Sequence, residues 1–222
     1  GDSDYVVNCT ALGNVLEYCS SRFDRSLFGL DLAELQTPDV FGLATAISRA
    51  ASTLGEALDC FIKYMPVVHS PVSDLEIVKG RDVCELRFAG TSTVQGFDGC
   101  QIMYEAGLLI AKLLRELCGS GFQPLYVSLA RIGQDGNIAE IERRFGCPCR
   151  KSADINAIAF PARMLNQPIR SASRQLYTLL DGYLDRVHTA TRASLTERLA
   201  ECIRSSLASG KCSPEGGARK LG

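Results

Sequence analysis

The fold is decided by residues 97–118, FDGCQIMYEAGLLIAKLLRELC. Apolar residues recur there at helical spacing and cover most of the circumference of one long helix. A surface helix carries a single apolar stripe, so this helix is expected to be buried on more than one side. Gly119 and Gly121 mark its end.

Strand-like segments occur both before and after this helix in the chain. Residues 75–78 and 83–88 alternate between apolar and polar positions and are separated by a turn, which predicts two paired strands. Further strand-like segments are residues 124–129, 147–149 and 157–160, and residues 138–145 form a short helix between the first two of these. We therefore expect a small antiparallel sheet crossed by the 97–118 helix.

The first third of the chain is predicted to be helical. The first helix ends near Arg22, the second covers residues 28–35 and the third covers residues 41–51. A fourth helix begins at Ser52 or Thr53. Thr53 is the better N-cap because Glu56 stands three positions later, the spacing of a capping box. Pro66 is expected to end this fourth helix. With helices also expected after residue 170, the predicted class is α+β: an N-terminal helical layer, the small sheet with its long helix, and C-terminal helices.

A heptad-like seam runs along one of these C-terminal helices. Leu176, Leu180, Tyr183 and Val187 have the spacing of interhelical contacts. The sequence therefore predicts a homodimer, through this seam or through the 97–118 helix.

Charge and hydropathy limit the class of protein. The 222 residues include 24 Lys and Arg and 25 Asp and Glu, giving a formal net charge of −1. A duplex-binding surface needs an excess of basic residues, which the whole chain lacks. There is no apolar run long enough for a membrane span and no signal peptide at residues 1–4, so we expect a cytoplasmic protein.

Ten cysteines are present, and most of them lie within apolar patterns. We expect them to be reduced packing residues. Cys147 and Cys149 are the closest pair, but one intervening residue is short for a zinc site, and two further ligands would be needed. We therefore predict no bound metal, and a redox role for this pair stays an alternative.

A catalytic site is not evident in the sequence. The two histidines, His69 and His188, have no nucleophile motif around them. Neither GxGxxG after a strand nor GxxxxGK[ST] occurs, so no nucleotide cofactor is expected. The chain is predicted not to be an enzyme.

An apolar helix framed by short strands can form the wall of a small-molecule pocket. Tyr104 and Tyr126 could contribute polar groups to a ligand there. The alternative is that both are ordinary core tyrosines.

Four stretches of the sequence form a recognisable set. They are SLFGLDL (26–32) with PDVFG (38–42); STLGEAL (52–58); RFGCP (144–148) with NAIAFP (156–161) and LNQPI (165–169); and the segment from Leu195, with SPE (213–215) and ARKLG (218–222). Taken together in this order, they resemble the AraC family of bacterial transcription regulators. The first three are like its N-terminal arabinose-binding-type domain, and the last is like the opening of its helix-turn-helix domain.

The resemblance implies a function and a division of the chain. Residues 1–187 would sense a small-molecule effector and dimerise, residues 188–193 would be a linker, and residues 194–222 would begin an incomplete helix-turn-helix domain. DNA would then be bound only through the remaining part of that domain, so this chain alone is expected to bind DNA poorly. The alternatives are a stand-alone small-molecule-binding protein and a cofactor-dependent enzyme.

Overall fold

The fold combines helices with one five-stranded sheet, in a computed structural model that describes residues 9–68, 75–88, 99–119, 121–132, 137–152 and 155–189. The predicted α+β class is confirmed. The helices are α1 (Cys9–Arg22), α2 (Phe28–Leu35), α3 (Gly42–Ala50), α4 (Leu54–Val68), α5 (Cys100–Cys118), α6 (Ile138–Phe145) and α7 (174–189), with 3₁₀ turns at Pro38–Phe41 and Ala162–Asn166. The strands are β1 (Leu75–Lys79), β2 (Val83–Phe88), β3 (Tyr126–Leu129), β4 (Cys149–Lys151) and β5 (Asn156–Pro161).

The sheet has the strand order β1-β2-β5-β3-β4. Neighbouring strands are antiparallel except β3 and β4, which run parallel, so the expectation of a purely antiparallel sheet was wrong. The reason is α6, which lies between β3 and β4 in the chain and returns the backbone to the same end of the sheet.

Helix α5 packs between the sheet and the N-terminal helices, as its apolar circumference predicted. On the sheet side, Gly107 lies against the rings of Phe88 in β2 and Phe145 in α6. On the other side, Gln101 contacts α2 through a hydrogen bond from the Gly29 N–H to its Oε1, at 2.8 Å. The helix begins at Cys100 after Gly99, three residues later than predicted, and residues 97 and 98 lie outside the described part of the chain.

Helix α4 begins as predicted and ends later. Thr53 Oγ1 accepts a hydrogen bond from the Glu56 N–H at 3.3 Å, which confirms Thr53 as the N-cap. The Glu56 carboxylate accepts in turn from the Ser52 N–H at 2.7 Å. Pro66 does not end the helix, which continues to Val68. Its missing N–H removes one intrahelical bond, and only two residues of the helix follow it.

Helix α7 is attached to the start of α4 by the segment that precedes it. Three backbone hydrogen bonds of 3.0–3.1 Å, donated by the N–H groups of Leu54, Ile169 and Ser173, join residues 167–173 to residues 50–54. Helix α7 then buries Leu184 completely in the core. Residues 188 and 189, predicted as linker, are still helical, whereas residues 190–222, which include the predicted start of the helix-turn-helix domain, lie outside the described residues.

Within the described ranges, no helix is long and apolar enough to cross a membrane.

Candidate functional site

A cleft of about 490 Å³ lies between α4 and α7, and we call it the α4–α7 cleft. Its volume falls within the range of small-molecule sites. The cleft exists because α4 turns its apolar stripe to the core and its polar positions, spaced by three and four residues, toward α7. Its lining residues are Thr53, Glu56, Asp59, Cys60, Lys63, Tyr177 and Asp181.

Polar contacts join α4 to α7 at one end of the cleft. The Tyr64 hydroxyl donates to Asp181 Oδ1 at 2.6 Å and accepts from Lys63 Nζ at 2.7 Å. Lys63 Nζ also lies 3.0 Å from Asp185 Oδ1 and 3.7 Å from Asp181 Oδ1. The hydrogen bond to Tyr64 raises the pKa of Lys63. Lys63 is therefore a cation at neutral pH, and α7 supplies its counter-charges.

The middle of the cleft holds a thiol and a phenol in contact. Cys60 Sγ lies 3.1 Å from the Tyr177 hydroxyl. Burial raises the pKa of both groups. Both are neutral near pH 7, so Cys60 is a packing and hydrogen-bonding group there and lacks the thiolate that a nucleophile requires.

Arg174 stands at the other end of the cleft. Its Nη1 lies 3.2 Å from Glu56 Oε1, and its guanidinium carbon lies 5.0 Å from the centroid of the Tyr177 ring. The side chain is 72% exposed. The cleft therefore presents a carboxylate and an aromatic face that hold a cation loosely.

The two tyrosines predicted to contact a ligand lie on different elements, and neither lines this cleft. Tyr104 is completely buried on α5. Tyr126 lies on the sheet face opposite α5, where its hydroxyl donates to Glu85 Oε1 at 2.7 Å and Arg150 stacks 3.6 Å over its ring. The hydrogen bond from Tyr126 lowers the pKa of Glu85. A role for these tyrosines in ligand binding stays a prediction.

The predicted dimer seam lies on α7 and is only partly exposed. Leu176 and Tyr183 are 46% and 49% exposed, and Leu179 beside them is 69% exposed. Leu180 instead packs against the core, and Val187 is half-buried. The exposed residues Leu176, Leu179 and Tyr183 form one stripe, which we call the α7 stripe.

The remaining residues singled out in the sequence have packing environments where they are described. Burial raises the pKa of Cys147 and of Cys149 to about 11, so both are thiols at neutral pH. The ring of His188 packs edge-on against Tyr64, with 6.3 Å between the centroids. His69 lies outside the described residues.

The sequence analysis missed the residues of the α4–α7 cleft. A signal was present in the polar positions Glu56, Asp59 and Lys63, which share one face of a helix, and in Tyr177 and Asp181, four positions apart on another. Helical spacing does not reveal that these two faces meet, because the two helices are far apart in the chain.

Comparisons with known proteins identify the family. Residues 1–169 match the model described as the arabinose-binding domain of AraC transcription regulator, N-terminal. The chain is 27% identical over 218 residues to the HTH-type transcriptional regulator VirS of Mycobacterium tuberculosis, in strains CDC 1551 / Oshkosh and ATCC 25618 / H37Rv. That match covers 98% of this chain and 64% of VirS.

A solved structure shares the fold. The transcriptional regulator CdpR from Pseudomonas aeruginosa superposes with a TM-score of 0.62 at 16% identity, over 88% of this chain and 64% of CdpR. The chain thus spans somewhat less than two thirds of the length of either relative. The matched family consists of transcription regulators rather than enzymes, in agreement with the sequence-based prediction. The chain belongs to the family of N-terminal arabinose-binding domains of AraC transcription regulators.

Proposed function

We propose that this chain is the ligand-sensing and dimerisation region of an AraC-type regulator that controls transcription in response to a small molecule. The observation that carries the proposal is the arrangement of α7, which borders the α4–α7 cleft on one face and presents an exposed apolar stripe on another. A ligand in the cleft would contact the same helix that carries the stripe. Such a ligand shifts the regulator between states to the extent that it binds one state more tightly.

Dimerisation through the α7 stripe follows from its exposure. Leu176, Leu179 and Tyr183 are large apolar side chains spaced three and four positions apart, so they lie on one side of the helix. A two-fold interface requires a patch that is complementary to itself, and a short apolar stripe on a helix meets this condition when it packs against a second copy. The stripe of another chain would therefore remove these side chains from water.

The dimer is tested by replacing the most exposed residue of the stripe. At micromolar concentration, we expect light scattering to give the wild-type chain about twice the 24.0 kDa mass of one chain. The Leu179→Asp variant should have the mass of a single chain, because a dimer interface would have to bury the new carboxylate. Leu35→Asp is the matched control, since Leu35 is 87% exposed on α2. A wild-type monomer, or a Leu179→Asp dimer with an unchanged dissociation constant, would contradict this interface.

The sensing role is tested by native mass spectrometry of the protein as purified. A retained small molecule, or one that binds from a library and raises Tm, supports a sensor. The alternatives of a stand-alone binding protein and a cofactor-dependent enzyme are both less consistent with the family to which the chain belongs.

A further inference from the structure

We propose that the α4–α7 cleft is a site for a small organic cation, an alkyl amine or guanidine, whose positive group is held between the carboxylates of α4 and α7. The inference rests on the proposed function, because it makes this cleft the sensory site and gives the chemical class of its ligand.

The charges in the cleft favour a cation. Its lining contains the three carboxylates of Glu56, Asp59 and Asp181 and the ammonium of Lys63, and Arg174 at its end adds a second cation, so the carboxylates outnumber the cations by one. Lys63 is already engaged by Asp181 and Asp185. Asp59 is exposed on the cleft wall, and no ion pair joins it to another residue of the described ranges. A cleft lined by an excess of one charge concentrates ligands of the opposite charge.

The protein's own Arg174 shows how a cation is accommodated there. Its guanidinium lies over the Tyr177 ring and against the Glu56 carboxylate, which is the arrangement of a cation–π site with an added counter-ion. Because Arg174 is largely exposed, its ion pair contributes little to stability. A ligand cation can therefore displace Arg174 at small cost and use the same ring and carboxylate.

The position of the cleft gives such binding a consequence. Glu56 and Asp59 belong to α4, whereas Tyr177 and Asp181 belong to α7. A cation that contacts both sets joins the two helices and stabilises α7 in its docked position. Ligand binding at the cleft is thus coupled to the helix that carries the α7 stripe.

The test measures binding of 1,4-diaminobutane to the 222-residue chain by isothermal titration calorimetry at low salt. The isosteric neutral compound 1,4-butanediol and the dianion succinate are the ligand controls. We expect the diamine to bind and the two controls not to bind. Asp59→Asn should weaken diamine binding about tenfold, as expected for the loss of one charge-assisted contact.

Arg174→Ala gives the sharper comparison, because it should strengthen diamine binding by removing the competing cation. This gain in affinity is an outcome that a damaged fold would not produce. Asp82→Asn and Arg163→Ala remove one charge of each sign at exposed positions outside the cleft, and both should leave the affinity unchanged.

Three results would overturn the proposal: no diamine binding by the wild type and Arg174→Ala, equal binding of the diol, or an affinity unaffected by Asp59→Asn. Failure of the proposed function is a separate outcome. A dimer that retains a neutral or anionic ligand would refute the cation site and leave the sensing role standing, whereas a monomer that binds no small molecule would refute both.

Discussion

Gly29 determines how closely α2 can approach α5. Its N–H donates to the Gln101 side chain at 2.8 Å, and a Cβ at this position would overlap the backbone carbonyl of Gln101. Because the obstacle is backbone rather than the end of a flexible side chain, relief would require moving one helix away from the other. A tightly packed core resists such a shift.

We therefore expect Gly29→Ala to lower the free energy of unfolding by about 3 kcal/mol. The matched control is Gly182→Ala on α7, where an added Cβ meets no atom within 4 Å and the better helix propensity should add up to about 1 kcal/mol. Urea denaturation of the two variants measures the difference. Equal stability of Gly29→Ala and the wild type would show that the helices separate easily.

Tyr126 is expected to act on stability through Glu85. Its hydrogen bond lowers the pKa of Glu85 in the folded state. The hydrogen bond therefore stabilises the folded protein at pH values above the ordinary pKa of that carboxyl. This stabilisation is lost as the pH falls through the lowered pKa. Tyr126→Phe should cost about 1 kcal/mol at pH 7 and progressively less below pH 4. An NMR titration should also show a higher pKa for Glu85 in the variant. An unchanged pKa would mean that Arg87 and Arg150, rather than this hydrogen bond, keep the pKa of Glu85 low.

Single residues were predictable from the sequence where their role is local. Thr53 could be identified as an N-cap because its partner Glu56 is three positions away. The cleft could not be predicted, because it requires α4 and α7 to meet: Tyr64 and Asp181, which hydrogen-bond at its end, are 117 positions apart. No local pattern specifies that pairing.

At the scale of elements, the C-terminus of α2 depends on a side chain from α5. Lys112 Nζ donates to the carbonyl oxygens of Ala33, Glu34 and Gln36 at 2.6–3.0 Å. The last carbonyls of a helix have no intrahelical partners, and a cation there also complements the helix dipole. Burial lowers the pKa of Lys112, which reflects the cost of placing an ammonium between two packed helices.

Removing this cap should destabilise the contact between α2 and α5. We expect Lys112→Met, which keeps the length of the side chain, to cost about 2 kcal/mol and to accelerate amide hydrogen exchange in α2. Lys79→Met is the control on an exposed position of β1, where the change should stay within about 0.5 kcal/mol. If both variants had the same stability, the three carbonyls would be equally well satisfied by water.

Element boundaries followed from the sequence wherever the stop signal was strong. Helix α6 occupies the predicted residues 138–145 because Asn137 caps its first turn and Gly146 takes a left-handed conformation after its last. Helix α4 passes Pro66 because a proline so near the end of a helix interrupts little. Predictions from periodicity were therefore better for where elements lie than for where they end.

At the scale of the whole molecule, the arrangement of strands was only partly predictable. The β1–β2 hairpin is local, and both strands were placed from their alternation. The parallel pairing of β3 with β4 depends on how α6 packs after leaving the sheet, which the strand sequences do not encode. Strand β5 lies between β2 and β3, so residues from distant parts of the chain complete the sheet.

The whole-molecule question with most bearing on the proposed function is whether α7 belongs to the same cooperative unit as the rest of the domain. Leu184 is completely buried and shares one apolar cluster with residues of α4 and α5. Leu184→Ala should therefore lower the global free energy of unfolding by about 2–5 kcal/mol, whereas Leu35→Ala, at a position exposed to solvent, should change it by less than about 0.5 kcal/mol. Urea denaturation combined with hydrogen exchange separates the two possible outcomes. If Leu184→Ala accelerates exchange only in α7 and leaves the global stability unchanged, α7 is a separate unit that detaches on its own, and a ligand in the α4–α7 cleft would act on that local equilibrium rather than on the whole domain.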